Sequence, residues 1–399
     1  MVYKRIHDLD LEALMVDRFP AFEETSPRNQ SEVIKKYKRF SRVNLELFNN
    51  GNGLCFINKY LDCDTLKLYD HDKKRINTIL IPYIYDSNAQ CPLWLTTINE
   101  ILEGDNNKIR ILQDFFGYCL TRDTRYEKAM FLVGEGGTGK SVILDCLQYI
   151  LGVKNISYIS LKYFGEPSYM ASIDGKLANV CTEVSKNVED YEEIFRKVVT
   201  GEIIQVSPKF VPQYDIRPFA KLIFAVNQWP HINDQTSAFY RRMLILPLER
   251  IFREDEYNRD LKENLKAETP GILNWALEGL VRLRLQKGFY VTESMKEEID
   301  NIRITNNPIA EWARENVRVK PGSEITKPEA YTNYRIWAAA NGYKLFGAAK
   351  FGIELYRIFK LHTKKDHRQA SGNRTRTWPG LAWATPGIGE QQEVKEWED

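Results

Sequence analysis

Apolar residues along this chain fall into two rhythms. Between Asn49 and Tyr85 they form short runs, Leu54 to Ile57, Leu66 to Tyr69 and Thr78 to Tyr83, broken by Gly, Asn and Asp, which predicts a small β-rich module. From Cys91 the spacing lengthens to three and four. Ile98, Ile101 and Leu102, then Ile109, Leu112, Phe115, Phe116 and Cys119, predict helices that lead into a buried strand over Lys128 to Val133. A helix over Ser141 to Leu151 follows, with Val142, Ile143, Cys146, Leu147 and Ile150 on one side. Further apolar runs at Leu177 to Glu183, Phe219 to Val226 and Met243 to Pro247 read as strands. Helical segments at Tyr191 to Thr200, stopped by Gly201, and at Gly271 to Arg284 lie among and after them. Apolar strands interleaved with helices give an α/β class with a parallel sheet over 125–290. The preceding 49–124 is a small α+β unit, β-rich and then helical.

The ends of the chain read differently. Residues 1–48 are charged and mixed, an extension or linker with one possible helix over Ser31 to Phe40. After a polar stretch from Thr292 to Asn307, helical segments at Pro308 to Val317, Pro328 to Ala340 and Ala348 to Phe359 precede a turn at Ser371 to Asn373 and a strand over Thr375 to Ala384. This 305–389 unit has the outline of a winged helix, and 390–399 is an acidic tail.

Composition narrows the classes. With 399 residues, 43% hydrophobic and 12% aromatic, the chain supports several packed cores and is not disordered. A formal charge of +2 leaves any polyanion to be met by local basic patches. Six cysteines without a C-x-x-C pair, and five scattered histidines, suggest neither a zinc site nor a disulfide framework. No apolar run is long enough to span a bilayer and no signal-type stretch opens the chain, so the expectation is a cytoplasmic protein with no membrane partner.

Chemistry enters at Gly134-Glu135-Gly136-Gly137-Thr138-Gly139-Lys140-Ser141, which fits the phosphate-loop pattern and lies between the predicted strand and helix. Glycines let backbone amides close round phosphates, Lys140 reaches the β- and γ-phosphates of ATP, and the Ser141 hydroxyl ligates Mg²⁺. A second strand ending in Glu183 supplies the acid such a site needs beside the metal and the attacking water. Glu189, Asp190, Glu192 and Glu193 read as a solvated helix face. Residues 202–218 alternate as a hairpin with Pro208 and Lys209 at its tip. Asn227 ends the next strand, where its amide can hold the lytic water. Arg241 and Arg242 open the last, and Arg242 is the candidate arginine finger toward a neighbouring subunit. In the C-terminal unit Lys360, Lys364, Lys365, Arg368, Arg374 and Arg376 are placed to neutralise DNA phosphates.

Taken together, these motifs resemble the superfamily 3 helicases, and more narrowly the ATPase part of phage and plasmid primase-helicases. Leu80 to Asp86, Cys91 to Trp94, Leu112 to Leu120, Gly175-Lys176, Val199 to Gly201 and Asn227 to Pro230 are similar to that family's segments, with coverage from about Asn49 to Leu248. Two departures stand out: Glu183 is followed by Val184 and Ser185 where family members often carry paired acids, and the family's primase or polymerase domain is expected either in a longer polypeptide of which these residues are a fragment or in a separate partner. The resemblance implies an AAA+ motor in a hexameric homo-oligomer, with ATP between subunits, moving 3′ to 5′ on single-stranded or forked DNA. In it Glu183 polarises water, Asn227 orients it, Lys209 grips backbone phosphates, and a primase acts in cis or in trans in a bacterial or archaeal host. Two alternatives are an ATP-gated origin-binding initiator and a small-molecule phosphotransferase.

Overall fold

The computed structural model describes residues 15–17, 22, 26–40, 53–72, 77–182, 191–209, 211–227, 237–256, 258–305, 307–343, 345–359 and 376–384. The chain divides into two compact units, Met1–Lys296 and Glu297–Asp399.

In the first unit, helix α1 (Pro27–Phe40) replaces the expected Ser31 start, because Pro27 suits the first helical turn. Strands β1 (Gly53–Cys55), β2 (Tyr60–Asp62) and β3 (Leu68–Tyr69) form an antiparallel sheet. The expected strand over Thr78 to Tyr83 is reduced to one bridge, Leu80 with Cys55. The Tyr83 amide, the next donor after Ile81 on that side, instead donates to the Ile81 carbonyl at 2.9 Å, and buried Asn77 accepts from the Ile79 amide while donating to the Gly53 carbonyl. Helices α2 (Pro92–Ile101) and α3 (Asn106–Cys119) follow. The Glu268 carboxylate accepts from the Leu93 and Trp94 amides at 3.0 and 2.9 Å and so satisfies the first turn of α2. Asp105 does the same at the start of α3, accepting from the Asn107 and Lys108 amides.

The centre is a five-stranded, all-parallel sheet of β4 (Ala129–Val133), β5 (Ile156–Ser157), β6 (Ala178–Cys181), β9 (Lys221–Val226) and β10 (Met243–Pro247), in the order β10-β4-β9-β6-β5. The residues of β9 are buried along its whole length, as expected of a strand paired on both sides and covered on both faces. Helix α4 (Lys140–Leu151) leaves β4, and α5 (Glu192–Thr200) ends at Gly201, which adopts φ 71°. Strands β7 (Ile204–Val206) and β8 (Tyr214–Ile216) pair as the expected antiparallel hairpin. Helix α6 (Thr269–Gln286) packs on α3 so closely that a Cβ on Gly279 would stand 2.2 Å from the Gln113 carbonyl oxygen. The same contact carries an ion pair of buried Asp114 with Arg282 at 2.6 Å.

The second unit runs α7 (Pro308–Asn316), β11 (Val317–Thr326), α8 (Lys327–Ala340), α9 (Ala348–Ile358), β12 (Thr377–Trp383). The three helices and the last strand match expectation. Strand β11 does not, since Pro321-Gly322 interrupts its pattern: its antiparallel pairing with β12 breaks after Val319 and resumes at Glu324 opposite Pro379. Ile309, Trp312, Tyr334, Phe351, Leu355 and Trp378 form the core of this unit. Among the described residues no helix is long and apolar enough to cross a membrane, no cluster of metal-ligand type occurs, and all six cysteines are buried and free.

Candidate nucleotide-binding site

The phosphate loop sits at the carboxyl edge of the parallel sheet, between β4 and α4, where ligands of open α/β sheets bind. Gly139 caps the helix with φ 87°, and its bare Cα faces Ile101, which a Cβ would approach to 2.8 Å. At Gly134 a Cβ would meet the Leu248 carbonyl at 2.4 Å, so glycine is required for the loop to lie against the segment that follows β10. That segment braces the loop through the Leu248 amide on the Val133 carbonyl at 2.7 Å and the Phe252 amide on the Gly137 carbonyl at 3.0 Å.

The Lys140 ammonium lies inside the loop. It donates to the Gly134 and Glu135 carbonyls at 2.6 Å each, and burial lowers its pKa. Thr138, fully buried, donates its hydroxyl to the Glu135 carbonyl at 2.9 Å and fixes the loop's curvature. Ser141 is exposed in the first turn of α4, placing a hydroxyl at the positive end of a 12-residue helix. These features fit a nucleotide polyphosphate: a glycine cradle, one ammonium and a helix start.

Asn227 stands beside this cradle. The amide of Gly134 donates to the Val226 carbonyl at 3.2 Å, so the residue that follows Val226 emerges next to the loop, and Asn227 is exposed there. Strand β6 ends at Cys181, in register with Phe224 of β9, so the strand that carries Asn227 separates the phosphate-loop strand from the one aimed at the expected acid. Glu183 itself, with Glu189 and Asp190, lies outside the described residues.

The arginine pair lies at the other edge. Met243 is in register with Ala129 and Pro247 with Val133, so Arg241 and Arg242 precede the amino ends of both strands while Gly134 follows the carboxyl end. Five strand residues, about 16 Å, separate them. Arg242 is 5% exposed and pairs with Glu127 at 3.1 Å, and burial lowers its pKa; Arg241 is exposed, and its carbonyl accepts from the Lys128 ammonium. With Arg125 and Tyr126 they line a cleft of about 230 Å³. Glu127 carried no sequence signal, because its role depends on β10 lying next to β4.

Lys209 is exposed in the loop that joins β7 to β8. Of the C-terminal basic residues, Arg376 is exposed just before β12. Lys360, Lys364, Lys365, Arg368 and Arg374 lie outside the described residues.

Two family models match parts of this chain. Residues 8–103 match the family described as D5 N terminal like. Residues 132–242 match a family of unknown function, DUF5906, over a span that opens just before the phosphate loop and closes on Arg242. Among solved structures, the A form apo structure of the NrS-1 C terminal region is similar at 12% identity and a TM-score of 0.49, covering 89% of this chain and 91% of that one. A further apo structure of that region gives 12% and 0.49 over 81% and 83%.

Proposed function

We propose that this protein is an ATP-driven motor on single-stranded DNA, of the superfamily 3 AAA+ kind that serves phage and plasmid replication, working as a ring of identical subunits. The observation that carries this reading is the placement of two half-sites at opposite edges of one sheet. Lys140 and Asn227 face one edge and Arg241 the other, about 16 Å away. An arginine side chain cannot span that distance to its own phosphate loop, and in this reading Arg241 serves the γ-phosphate of a neighbour. The match of residues 8–103 to the D5 N terminal like family supports the replication setting.

In this mechanism the amides of Gly136 to Lys140 and the Lys140 ammonium bind and orient the ATP polyphosphate, and Asn227 orients the attacking water. The Ser141 hydroxyl, with Glu183, would hold Mg²⁺, which when bound neutralises charge on the β- and γ-phosphates. Arg241 is the finger, completing charge stabilisation in trans. Arg242, held by Glu127, is a positioning residue that fixes the backbone from which Arg241 projects. Lys209 contacts the DNA backbone, and the C-terminal unit is a winged-helix DNA-binding domain whose basic residues add phosphate contacts.

Subunit mixing tests the reading. Lys140→Ala and Arg241→Ala proteins are each expected to be inactive in ATP hydrolysis. Mixed, they form some interfaces with an intact loop and an intact finger, and hydrolysis returns in part. No recovery at any ratio refutes the trans site, and an active Lys140→Ala protein refutes the ATPase assignment.

A further inference from the structure

The second unit contains a cleft of about 620 Å³ that the proposed winged-helix role leaves unused. That volume lies within the range of about 300–1,000 Å³ typical of small-ligand sites. Tyr331, Phe351 and Trp378 form its aromatic wall, with Tyr331 half-buried and 5.5 Å from Phe351 between ring centroids. Two cations stand at the wall: Lys327, whose ammonium lies 4.4 Å from the centre of the Trp378 ring, and the exposed Arg376.

Two helix starts converge on the same space. Lys327 and Pro328 open α8, while Ala348 and Ala349 open α9, and all four line the cleft. Thr326 caps α8 with its side chain, accepting from the Glu329 amide, whereas α9 begins at Gly347, which has no side chain to cap with. Its first amides therefore point toward the cleft end of the helix with the positive end of the dipole behind them. Trp378 is 94% buried, from its 6% exposure, and its indole nitrogen has no hydrogen-bond partner among the described residues. An aromatic wall, two cations and uncapped amides ask for a ligand that is flat and apolar at one end and anionic at the other. The sequence reaching Arg376 favours a polyanion, since residues 360–375 carry five Lys or Arg against Asp366.

We propose that this cleft accepts one unstacked nucleotide of single-stranded DNA, with its base against half-buried Tyr331 and its phosphate held by Lys327, Arg376 and the first amides of α9. This rests on the reading of DNA as the partner and extends it: the unit grips a base as well as the backbone, which duplex DNA does not offer.

The test uses the full chain without ATP. An oligothymidylate carrying one 5-iodouracil is cross-linked by light and the adducts are mapped by mass spectrometry, with adducts expected at Tyr331. In parallel, affinity is compared for the normal oligonucleotide and an abasic one of equal length. The parent should prefer the base-bearing strand about tenfold, the size of one stacked base, and Tyr331→Ala should remove that preference. Should Tyr331→Ala fail to fold, Ala349→Glu, at an exposed position of α9, sets a carboxylate against the phosphate and should produce a comparable loss. Adducts mapping only outside the cleft, a base preference equal in parent and variants, or no single-strand binding would each overturn the proposal. ATP hydrolysis is measured separately: a protein that binds in the cleft and hydrolyses nothing keeps this site and loses the motor.

Discussion

Arg241 and Arg242 are neighbours in sequence, and burial separates them. Replacing Arg242 by Ala removes a buried guanidinium and its ion pair with half-exposed Glu127, so a loss of about 1 kcal/mol in chemical denaturation is expected. Arg241→Ala should leave stability unchanged while abolishing hydrolysis. Lys221 gives a second prediction at this scale. Its ammonium, 2% exposed, donates to the Thr121 and Phe219 carbonyls at 2.6 and 2.7 Å, and burial pushes its pKa down to about 7 from 10.5. Between those values the unfolded chain binds the extra proton, so this residue's contribution to stability rises with pH from about 7 to 10.5 and is lost as pH falls through 7. Denaturation of the parent and Lys221→Met at about pH 6.5 and about pH 9.5 should show the parent gaining on the variant at the higher value. The sequence made the phosphate-loop residues legible because their spacing is local. It could not separate the two arginines, since Glu127 meets Arg242 only once β10 lies beside β4.

Among elements, the contact of α3 with α6 is a close approach that only glycine permits. Gly279→Ala drives a methyl onto the Gln113 backbone, which cannot swing aside, and overpacking of that kind costs about 1–3 kcal/mol, readable as a lowered denaturation midpoint. The buried strands β4, β6, β9 and β10 were legible as continuous apolar runs, and the β7-β8 hairpin as an alternation ended by turn residues. Strand β11 escaped because its residues 318–324 are mostly exposed and Pro321-Gly322 breaks the period of two. The run at Thr78 to Tyr83 misled for the opposite reason: it is apolar, yet the Tyr83 amide is taken by the Ile81 carbonyl and the Ile79 amide by the Asn77 side chain, so no ladder forms. Periodicity reports burial, and pairing also needs free amides.

For the whole molecule, the proposal requires assembly. Mass measured in solution should rise to a closed oligomer when ATP and single-stranded DNA are present, and a monomer under every condition would leave Arg241 with no neighbour to serve. The parallel α/β class was legible from the alternation of apolar runs with helices, but the order of the strands was not. That order places the Asn227 strand against the phosphate-loop strand, a long-range choice that local spacing does not encode.

Strand β10 has a consequence for timing. At its amino end the Arg242 carbonyl accepts from the Ala129 amide, and at its carboxyl end Leu248 and Phe252 grip the phosphate loop. In the proposed ring a single stiff rod therefore touches the neighbour's nucleotide with one tip and its own with the other. Movement of this strand would link the two sites, and the expected outcome is firing that passes round the ring in order instead of at random.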